Sequence, residues 1–333
     1  MPRPMPAQRR AEQHTGNPAE PRTADSGSAD WGTRWVAAMR AGDFPAAWAV
    51  NDQVLAARDP ATRDDPRLPY HLRWVWDGQD PAGQDVLVRC YHGLGDTLQF
   101  CRFLAPLRQR AARVTLEAQP ELVPLLQGLP GPDQVVPFRT DAPLPPSACD
   151  IEVMELPHAL RQAPGAAPYL SAAPLPRPGP GFLAGVCWQA GAWDPGRSMP
   201  VQSLAPLAQV PGIALVSLQR GPAADDAARP GAPPLLLAGE RSMDMVATAR
   251  LVAALDLVVA VDTMVAHLAG ALGVPTRLLL QADADWRWMA GRTDSPWYSS
   301  LRLHRQASPG DWSAPVAEVA TALAMRREGV AGT

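Results

Sequence analysis

Two short segments of the chain combine residue types that could bind an anion and move a proton. In the first, an apolar run ends at Val261 and is followed by Asp262, Thr263 and, one helical turn later, His267. Thr263 and His267 are four residues apart, so they share one face of the helix that the Ala/Leu-rich segment predicts. Asp262 is expected to be the N-cap, and the free amides behind it would attract phosphate. A structural cap followed by an ordinary helix histidine is the alternative, and the pattern alone does not separate the two.

The second segment is a Gly-Leu-Gly-Asp turn at residues 93–96, which follows a predicted strand and precedes a predicted helix. Its glycines would let the backbone approach a ligand, and Asp96 would stand at the end of the strand as a candidate general base toward a hydroxyl. Asp96 as a helix cap is the structural alternative. A dinucleotide-binding fingerprint would need a third glycine at position 98, where Leu98 stands, which argues against a nicotinamide-dependent oxidoreductase.

The composition excludes several other classes of protein. The chain has no lysine, because all 30 of its basic residues are arginine. It therefore has no lysine for a phosphate-binding P-loop, a Schiff base or a pyridoxal site. The formal net charge of −3 gives no basic surface of the kind that binds nucleic acid, so no nucleic-acid partner is expected.

Cysteine and histidine usage argues against a metal site. The four cysteines are dispersed in apolar segments without a C-x-x-C pair, and the six histidines show no metal-ligand spacing. Buried free thiols in a reducing compartment are expected. Because the chain shows neither a charged-then-apolar leader nor a long uninterrupted apolar run, a cytoplasmic protein without a transmembrane segment is predicted.

Four regions are predicted along the chain. Residues 1–30 are Pro-, Arg- and Ser-rich and are expected to be a disordered tail. In residues 31–75, Trp31, Trp35 and Met39 recur at helical spacing before a Gly42-Asp43 turn, which predicts one helical hairpin similar to a single tetratricopeptide unit. Such a unit cannot bury its own apolar face, so it must pack on the next domain or on a partner. Residues 76–175 and 176–333 are predicted to be two α/β domains, joined by a linker near residues 163–181.

Strand and helix patterns alternate in both domains, which predicts the fold class α/β: two Rossmann-like doubly wound units that face each other across a cleft. Predicted strands lie at 86–90, 114–117, 134–136, 151–154, 183–188, 214–219, 235–237, 257–261, 277–280 and 301–304. Predicted helices lie at 97–110, 120–127, 201–209, 244–254, 264–272 and 314–326.

Four motifs, in the same order, are similar to those of the ADP-heptose:lipopolysaccharide heptosyltransferase superfamily, the family 9 glycosyltransferases that are often fused to tetratricopeptide repeats. They are GLGDT at 93–97, GVCW at 185–188 with GRSMP at 196–200, VDTMVAHLAGALGVP at 261–275, and SPWY at 295–298. The resemblance covers about residues 84–325. It implies a two-domain GT-B enzyme that inverts the anomeric centre and needs no metal ion and no cofactor other than its nucleotide-sugar co-substrate.

The resemblance also implies roles for individual residues. Asp96 matches the catalytic base, and Arg197 falls where the family places a cation beside the donor phosphates. The implied donor site comprises Asp262, Thr263, Met264, His267, Arg197, Gln219 and Met243, and the loop facing the acceptor contains His92, Gly93 and Gly95. Trp286 and Trp288 are expected to serve packing, and Arg102 is expected to be a solvated charge on a helix.

These observations predict transfer of a sugar, with heptose as one candidate, from a nucleotide-diphosphate sugar to a glycan, lipid-linked or protein acceptor. A peripheral position at the inner membrane is compatible with that reaction. The alternative is a catalytically silent GT-B module that acts as a binding or scaffold protein.

Overall fold

The chain folds into an N-terminal helical hairpin followed by two parallel β-sheets with their helices. The computed structural model describes residues 30–237 and 244–331. The predicted tail therefore lies outside the described residues, except for Asp30. None of the helices in the described ranges is long and apolar enough to cross a membrane.

The predicted hairpin is present as α1 (Trp31–Ala41) and α2 (Phe44–Ala57). Gly42 ends α1 with a left-handed φ of 73°, a conformation that glycine adopts without strain. Asp43 then caps α2, because its Oδ1 accepts from the amide of Ala46 at 3.0 Å. Helix α2 begins at Phe44, directly after this cap, because Pro45 is well tolerated in the first turn of a helix.

The hairpin packs on both halves of the protein. From α1, Trp35 meets Trp286 edge to face with ring centroids 4.9 Å apart, and Arg40 pairs with Asp283 at 2.7 Å. From α2, Asp52 lies 2.8 Å from the His158 ring. The apolar face that the sequence left without a partner is thus covered from within the chain.

The first sheet and its helices form what we call the N-terminal domain. The sheet has the strand order β3-β2-β1-β4, and every neighbouring pair is parallel. Its strands are β1 (Asp85–Arg89), β2 (Arg113–Ala118), β3 (Gln134–Pro137) and β4 (Cys149–Glu152), and its helices are α3 (Leu94–Phe100), α4 (Leu104–Arg110), α5 (Val123–Leu126) and α6 (Leu156–Leu160).

The single helix predicted at 97–110 is instead two helices separated by a 3-10 turn at Cys101–Phe103. Pro106 explains the break, because it has no amide to donate to the carbonyl of Arg102 and its ring would clash with that carbonyl in a continuous helix. The predicted helix at 201–209 is divided in the same way, into a 3-10 turn (Val201–Leu204) and a short helix that contains Pro206.

The second sheet and its helices form the C-terminal domain. Its strand order is β6-β5-β7-β8-β9, again with parallel pairs throughout. The strands are β5 (Phe182–Cys187), β6 (Ile213–Ser217), β7 (Leu257–Val261), β8 (Thr276–Leu280) and β9 (Leu301–Arg305), and the helices are α7 (Ala205–Ala208), α8 (Met245–Ala253), α9 (Met264–Leu272) and α10 (Ser313–Ala331). The strand predicted at 235–237 is wrong: Leu236 makes one isolated bridge to Val216, and the preceding prolines have no amides for a ladder.

The two candidate segments begin helices at corresponding places in the two sheets. Helix α3 follows β1, α9 follows β7, and both therefore start at the carboxyl edge of a parallel sheet, where α/β proteins bind ligands. The starts of α3 and α9 contact each other, so the two edges face across one cleft. Residues 161–181 join the two sheets without helix or strand.

We predict that Gly270→Ala destabilises the protein by about 1–3 kcal/mol, because a Cβ there would lie 2.5 Å from the buried ring of Tyr298. Urea unfolding of the variant and of Gly128→Ala measures the effect. A Cβ at Gly128 would meet no atom within 4 Å, so that substitution is the control. Equal stability of the two variants would contradict the prediction.

Candidate active site between two helix starts

Asp96 lies in the first turn of α3 and not in a loop before it, which corrects the expected placement. Gly93 is the N-cap, and its amide donates to Asp96 Oδ2 at 3.0 Å. This is the arrangement of a capping box, in which a carboxylate at the third helical position holds the amide of the cap residue. The other oxygen, Oδ1, accepts from Nη2 of Arg287, which belongs to the opposite domain.

Arg287 is the residue of the site that sequence reasoning missed. It lies in a 3-10 turn, Trp286–Trp288, between β8 and β9. Besides Asp96, its guanidinium contacts Gln99 Oε1 at 2.8 Å and Asp285 Oδ1 at 2.9 Å. Burial opposes the charge, but Asp285 and Asp96 raise the pKa of Arg287 above its usual value. The signal in the sequence was a charged residue between two tryptophans, seven positions after the end of a buried strand.

Gly95 allows the two helix starts to approach each other. A Cβ at this position would lie 3.0 Å from Cδ2 of His267 and 3.6 Å from the Cα of Met264. The expectation that this glycine lets the backbone approach a ligand thus needs correction, because its immediate neighbour is the opposing helix. The glycine is required by the fit between the domains.

His92 borders the same edge of the N-terminal sheet, partly exposed. Its Nε2 lies 4.0 Å from Oε1 of the buried Glu152, at the end of β4. Burial lowers the pKa of His92, and the Asp96 carboxylate partly opposes that effect. Burial also raises the pKa of Glu152 well above its usual value.

Asp262 is buried at the end of β7, with 7% of its surface exposed. It is not the helix cap that the sequence predicted: Thr263 occupies the N-cap position of α9, and no side chain caps this helix. Burial raises the pKa of Asp262 to about 6, and repulsion from Asp285 adds to the rise. Its carboxylate is therefore poised to ionise close to neutral pH.

Arg197 reaches the start of α9, as the resemblance implied. Its Nη1 donates to the backbone carbonyl of Asp262 at 3.1 Å, and its guanidinium lies 4.1 Å from the ring centroid of Trp193. Arg197 is itself buried, and its Nε has no hydrogen-bond partner in the described part of the chain. A buried donor without a hydrogen-bond acceptor there, next to a helix start that no side chain caps, suits an anionic ligand.

His267 is buried on α9 and faces α3. Its Nδ1 lies 3.0 Å from the Tyr298 hydroxyl, and its ring stacks on Trp288 with centroids 5.5 Å apart. Burial lowers the pKa of His267 well below its usual value, so the imidazole is neutral. Thr263 and Met264 lie at the helix start, both partly buried. The tryptophan that was expected to serve packing does so here.

Gln219 is placed differently from its expected role at the donor. Its Oε1 accepts from the amides of Trp188 and Gln189 at 3.1 and 2.9 Å, and its Nε2 donates to the carbonyls of Gln189 and Arg220. Both ends of the amide thus hold the backbone that follows β5, and a contact to a ribose would require breaking these bonds. Met243 lies outside the described residues.

Arg102 also departs from expectation, because its guanidinium ties the domains together behind the site. It donates to the carbonyls of Gly165 and Trp297 and lies 4.6 Å from the ring centroid of Tyr169. Among residues 30–237 and 244–331, no group of three or more His, Cys, Asp or Glu side chains could hold a metal ion.

The arrangement brings a carboxylate from one domain to a charged pocket of the other. Asp96 could accept a proton from a hydroxyl, and Arg197 with the start of α9 could hold a diphosphate. His92, Gly93 and Gly95 lie on the Asp96 side, while Asp262, Thr263, Met264 and His267 lie on the other. The structure therefore places these residues around the two helix starts, whereas Gln219 holds the backbone after β5 and Met243 lies outside the described residues.

Comparison with solved structures places the fold. Over 73% of this chain and 99% of the other, the protein is similar to ADP-heptose lps heptosyltransferase II from E. coli, with a TM-score of 0.52 and 16% identity. It is similar to a family 9 glycosyl transferase from Veillonella parvula over 74% and 99%, with a TM-score of 0.53 and 11% identity. It is also similar to the iron-containing dodecameric glycosyltransferase TibC from enterotoxigenic E. coli over 74% and 78%, with a TM-score of 0.51 and 12% identity.

These similarities confirm the predicted fold: two Rossmann-like domains in the GT-B arrangement of the heptosyltransferases. No protein-family model matches the chain. A curated relative, Protein FlbA from Caulobacter vibrioides, is 27% identical over an alignment of 302 residues that covers 79% of this chain and 50% of that protein. The chain thus spans about half the length of the curated relative that it matches.

We predict that Asp262→Asn changes the pH dependence of stability. Because the carboxyl pKa is about 6 in the folded chain, against 3.8 for an unperturbed aspartate, ionisation of Asp262 costs stability as the pH rises through this range. The free energy of unfolding of the unmodified protein should therefore fall relative to the variant between pH 4 and 7, by up to ~3 kcal/mol. Urea unfolding across that range is the measurement.

Asp133→Asn is the control for this titration. Its carboxylate accepts from the Val114 amide, a bond that lowers the pKa of Asp133, so its stabilising effect is already complete above about pH 5. Parallel pH profiles for the unmodified protein and Asp262→Asn would contradict the assignment of a raised pKa to Asp262.

Proposed function

We propose that the protein is a glycosyltransferase that moves a sugar from a nucleotide-diphosphate sugar to a hydroxyl of a glycan, lipid-linked or protein acceptor, with inversion at the anomeric carbon. One observation carries the proposal. The acid in the first turn of α3, Asp96, meets a C-terminal domain pocket that contains a buried arginine, a buried aspartate and an uncapped helix start.

The chemistry follows from these groups. Asp96 takes the proton of the acceptor hydroxyl while the oxygen of that hydroxyl bonds to the anomeric carbon. The bond from that carbon to the diphosphate oxygen breaks, and the nucleoside diphosphate leaves with its electrons. Arg197, whose Nε makes no hydrogen bond to the described residues and lies 3.9 Å from Asp194 Oδ2, and the amides at the start of α9 stabilise the charge on the leaving group. Asp262 is assigned to the sugar, and His267, held neutral, is assigned to the wall of the pocket.

The donor and the acceptor are proposed at the level of chemical class. A heptose donor is one candidate, because a protein with the same fold is named ADP-heptose lps heptosyltransferase II. The proposal retains a reaction without a metal ion, a cytoplasmic location and a peripheral position at the inner membrane as predictions.

A panel of nucleotide sugars, each compared with its free nucleotide, tests the proposal by thermal shift. The donor that stabilises the protein most is then incubated with it in EDTA, with bacterial membranes as the acceptor source, and release of the nucleoside diphosphate is followed. Release that requires both protein and acceptor supports the proposal. Binding without release, even with added magnesium, would favour the silent binding module, and release only with added metal would overturn the metal-independent reaction.

We predict that Asp96→Asn lowers the turnover number at least ~10²-fold and leaves the dissociation constant of the donor nearly unchanged, because the base acts on the acceptor proton. Steady-state kinetics and donor titration measure both quantities. Asp133→Asn, which also removes a carboxylate paired with an arginine in this domain, is the control. Normal turnover of Asp96→Asn would exclude Asp96 as the base.

We predict that Arg197→Ala weakens binding of both the nucleotide sugar and the free nucleoside diphosphate, but scarcely that of the nucleoside, because the lost contact is to phosphate charge. Calorimetric titration with the three ligands is the measurement. Arg302→Ala, which removes an exposed arginine on β9, should change none of them. An equal loss for all three ligands would show that Arg197 serves the fold of the pocket and not the phosphates.

A further inference from the structure

We propose that Arg287 is the positioning residue of the base Asp96: the donor domain supplies it, and the N-terminal hairpin holds it in place. The inference rests on the proposed function in one respect, since it treats Asp96 as the base. The ion pair itself and its support by the hairpin stand on contacts within the structure.

The guanidinium of Arg287 connects the two domains. Arg287 lies in the turn behind β8 of the C-terminal domain, yet two of its nitrogens are used on α3 of the N-terminal domain, Nη2 on Asp96 and Nε on Gln99. The remaining nitrogen, Nη1, is held by Asp285 of its own turn at 2.9 Å. A planar guanidinium that is held by acceptors in both domains orients the carboxylate with which it pairs.

Asp96 and Arg287 lie among several other titratable groups. The groups facing Asp96 from its own domain are His92 and Glu152, and Arg287 faces it from the other. Around Arg287 lie the further acids Asp285 and Asp262, the neutral His267 and, more distantly, Arg102 and Arg197. Without Arg287, Asp96 would have no ion-pair partner among the described residues and would lie near three other acids: Glu152, Asp285 and Asp262. Like charges at short range disfavour the ionised carboxylate that a base requires.

The N-terminal hairpin supports the turn that carries Arg287. Trp35 of α1 packs against Trp286, whose ring in turn lies 4.4 Å from the Arg287 guanidinium. The backbone carbonyl of Arg40 accepts from the Ala290 amide at 3.1 Å, on the far side of the turn. The hairpin thus fixes both ends of the segment that carries Arg287.

The consequence is that the base is complete only when the domains meet. Asp96 retains the Gly93 amide within its own helix, but the cation that pairs with it comes from the C-terminal domain. A proton acceptor assembled in this manner is active only in the arrangement in which a donor in the C-terminal domain faces it.

The pH dependence of kcat/KM with the best donor of the panel tests the proposal, in the full chain and in Arg287→Met and Arg287→Lys. In Arg287→Met, loss of the cation should shift the acid limb of the kcat/KM profile to higher pH by about one unit. Activity should therefore fall about 10-fold below the limb and recover at high pH, with the donor KM changed far less than kcat. Arg287→Lys should restore part of the shift. Arg108→Met, which removes another arginine of an Asp–Arg pair, is the matched control and should leave the limb in place.

A limb that stays in place while activity falls equally at every pH would overturn the positioning role and leave Arg287 as a structural residue. The support by the hairpin has its own variant, Trp35→Ala, which should reproduce part of the limb shift, whereas Trp48→Ala on α2 should not. An unchanged limb in Trp35→Ala would overturn the part of the proposal that concerns the hairpin.

A second measurement needs no substrate and separates this proposal from the proposed function. Urea unfolding at pH 7 of Asp96→Asn, Arg287→Met and the double variant forms a double-mutant cycle. If the two side chains pair, Asp96→Asn should lower the unfolding midpoint at most half as much in the Arg287→Met background as in the unmodified protein. Coupling without any turnover in the unmodified protein would retain the pair and reject the glycosyltransferase. Additive losses would reject the pair, whatever the activity.

Discussion

The ion pair between Asp96 and Arg287 crosses the boundary between two domains that each have their own sheet, and the geometry of the cleft depends on it. A surface pair of this kind would contribute little, because water screens it and both side chains lose entropy. Here the arginine is 12% exposed, and it has a second acid and an amide oxygen as further partners. In that environment the loss of Arg287 would leave Asp96 without its ion-pair partner in a place with little solvent, so the pair favours this arrangement of the two domains.

The close approach of the two helix starts makes this pair geometrically possible. A side chain larger than hydrogen at position 95 would press on His267, and His267 cannot easily retreat because Tyr298 and Trp288 hold its ring. Gly95 of one candidate segment and His267 of the other are thus the two sides of one contact. Both segments end a central strand of a parallel sheet, so each domain presents its helix start at the same edge and the amides of α9 remain directed into the cleft.

The periodic features of the chain predicted the fold well, and the local features predicted the site in part. Apolar runs of this length and composition are compatible with few structures other than buried strands and Ala-rich helices. Two internal prolines account for the two predicted helices that are divided in the structure. Asp96, Asp262 and His267 were selected as candidates because they were expected at strand ends or one turn into a helix, and Arg197 was selected because the resemblance implied it. Arg287 was not found, because its role comes from a partner 191 positions away in the chain. Gln219 was misplaced for a related reason: a polar residue at a strand end can equally serve the neighbouring backbone, and only the folded structure shows which it does.

The absence of lysine gives the site a particular electrostatic character. A lysine buried as deeply as Arg197 or Arg287 would lose its proton more readily, because desolvation lowers the pKa of an ammonium and a single nitrogen offers no fixed fork of donors. Guanidinium groups remain charged under the same burial, and their planar shape lets one side chain contact several acceptors in different directions. Arg287 does this toward Asp96, Gln99 and Asp285, and Arg102 does it toward the carbonyls of Gly165 and Trp297. The charge of these guanidinium groups is therefore independent of pH over the range in which Asp262 titrates.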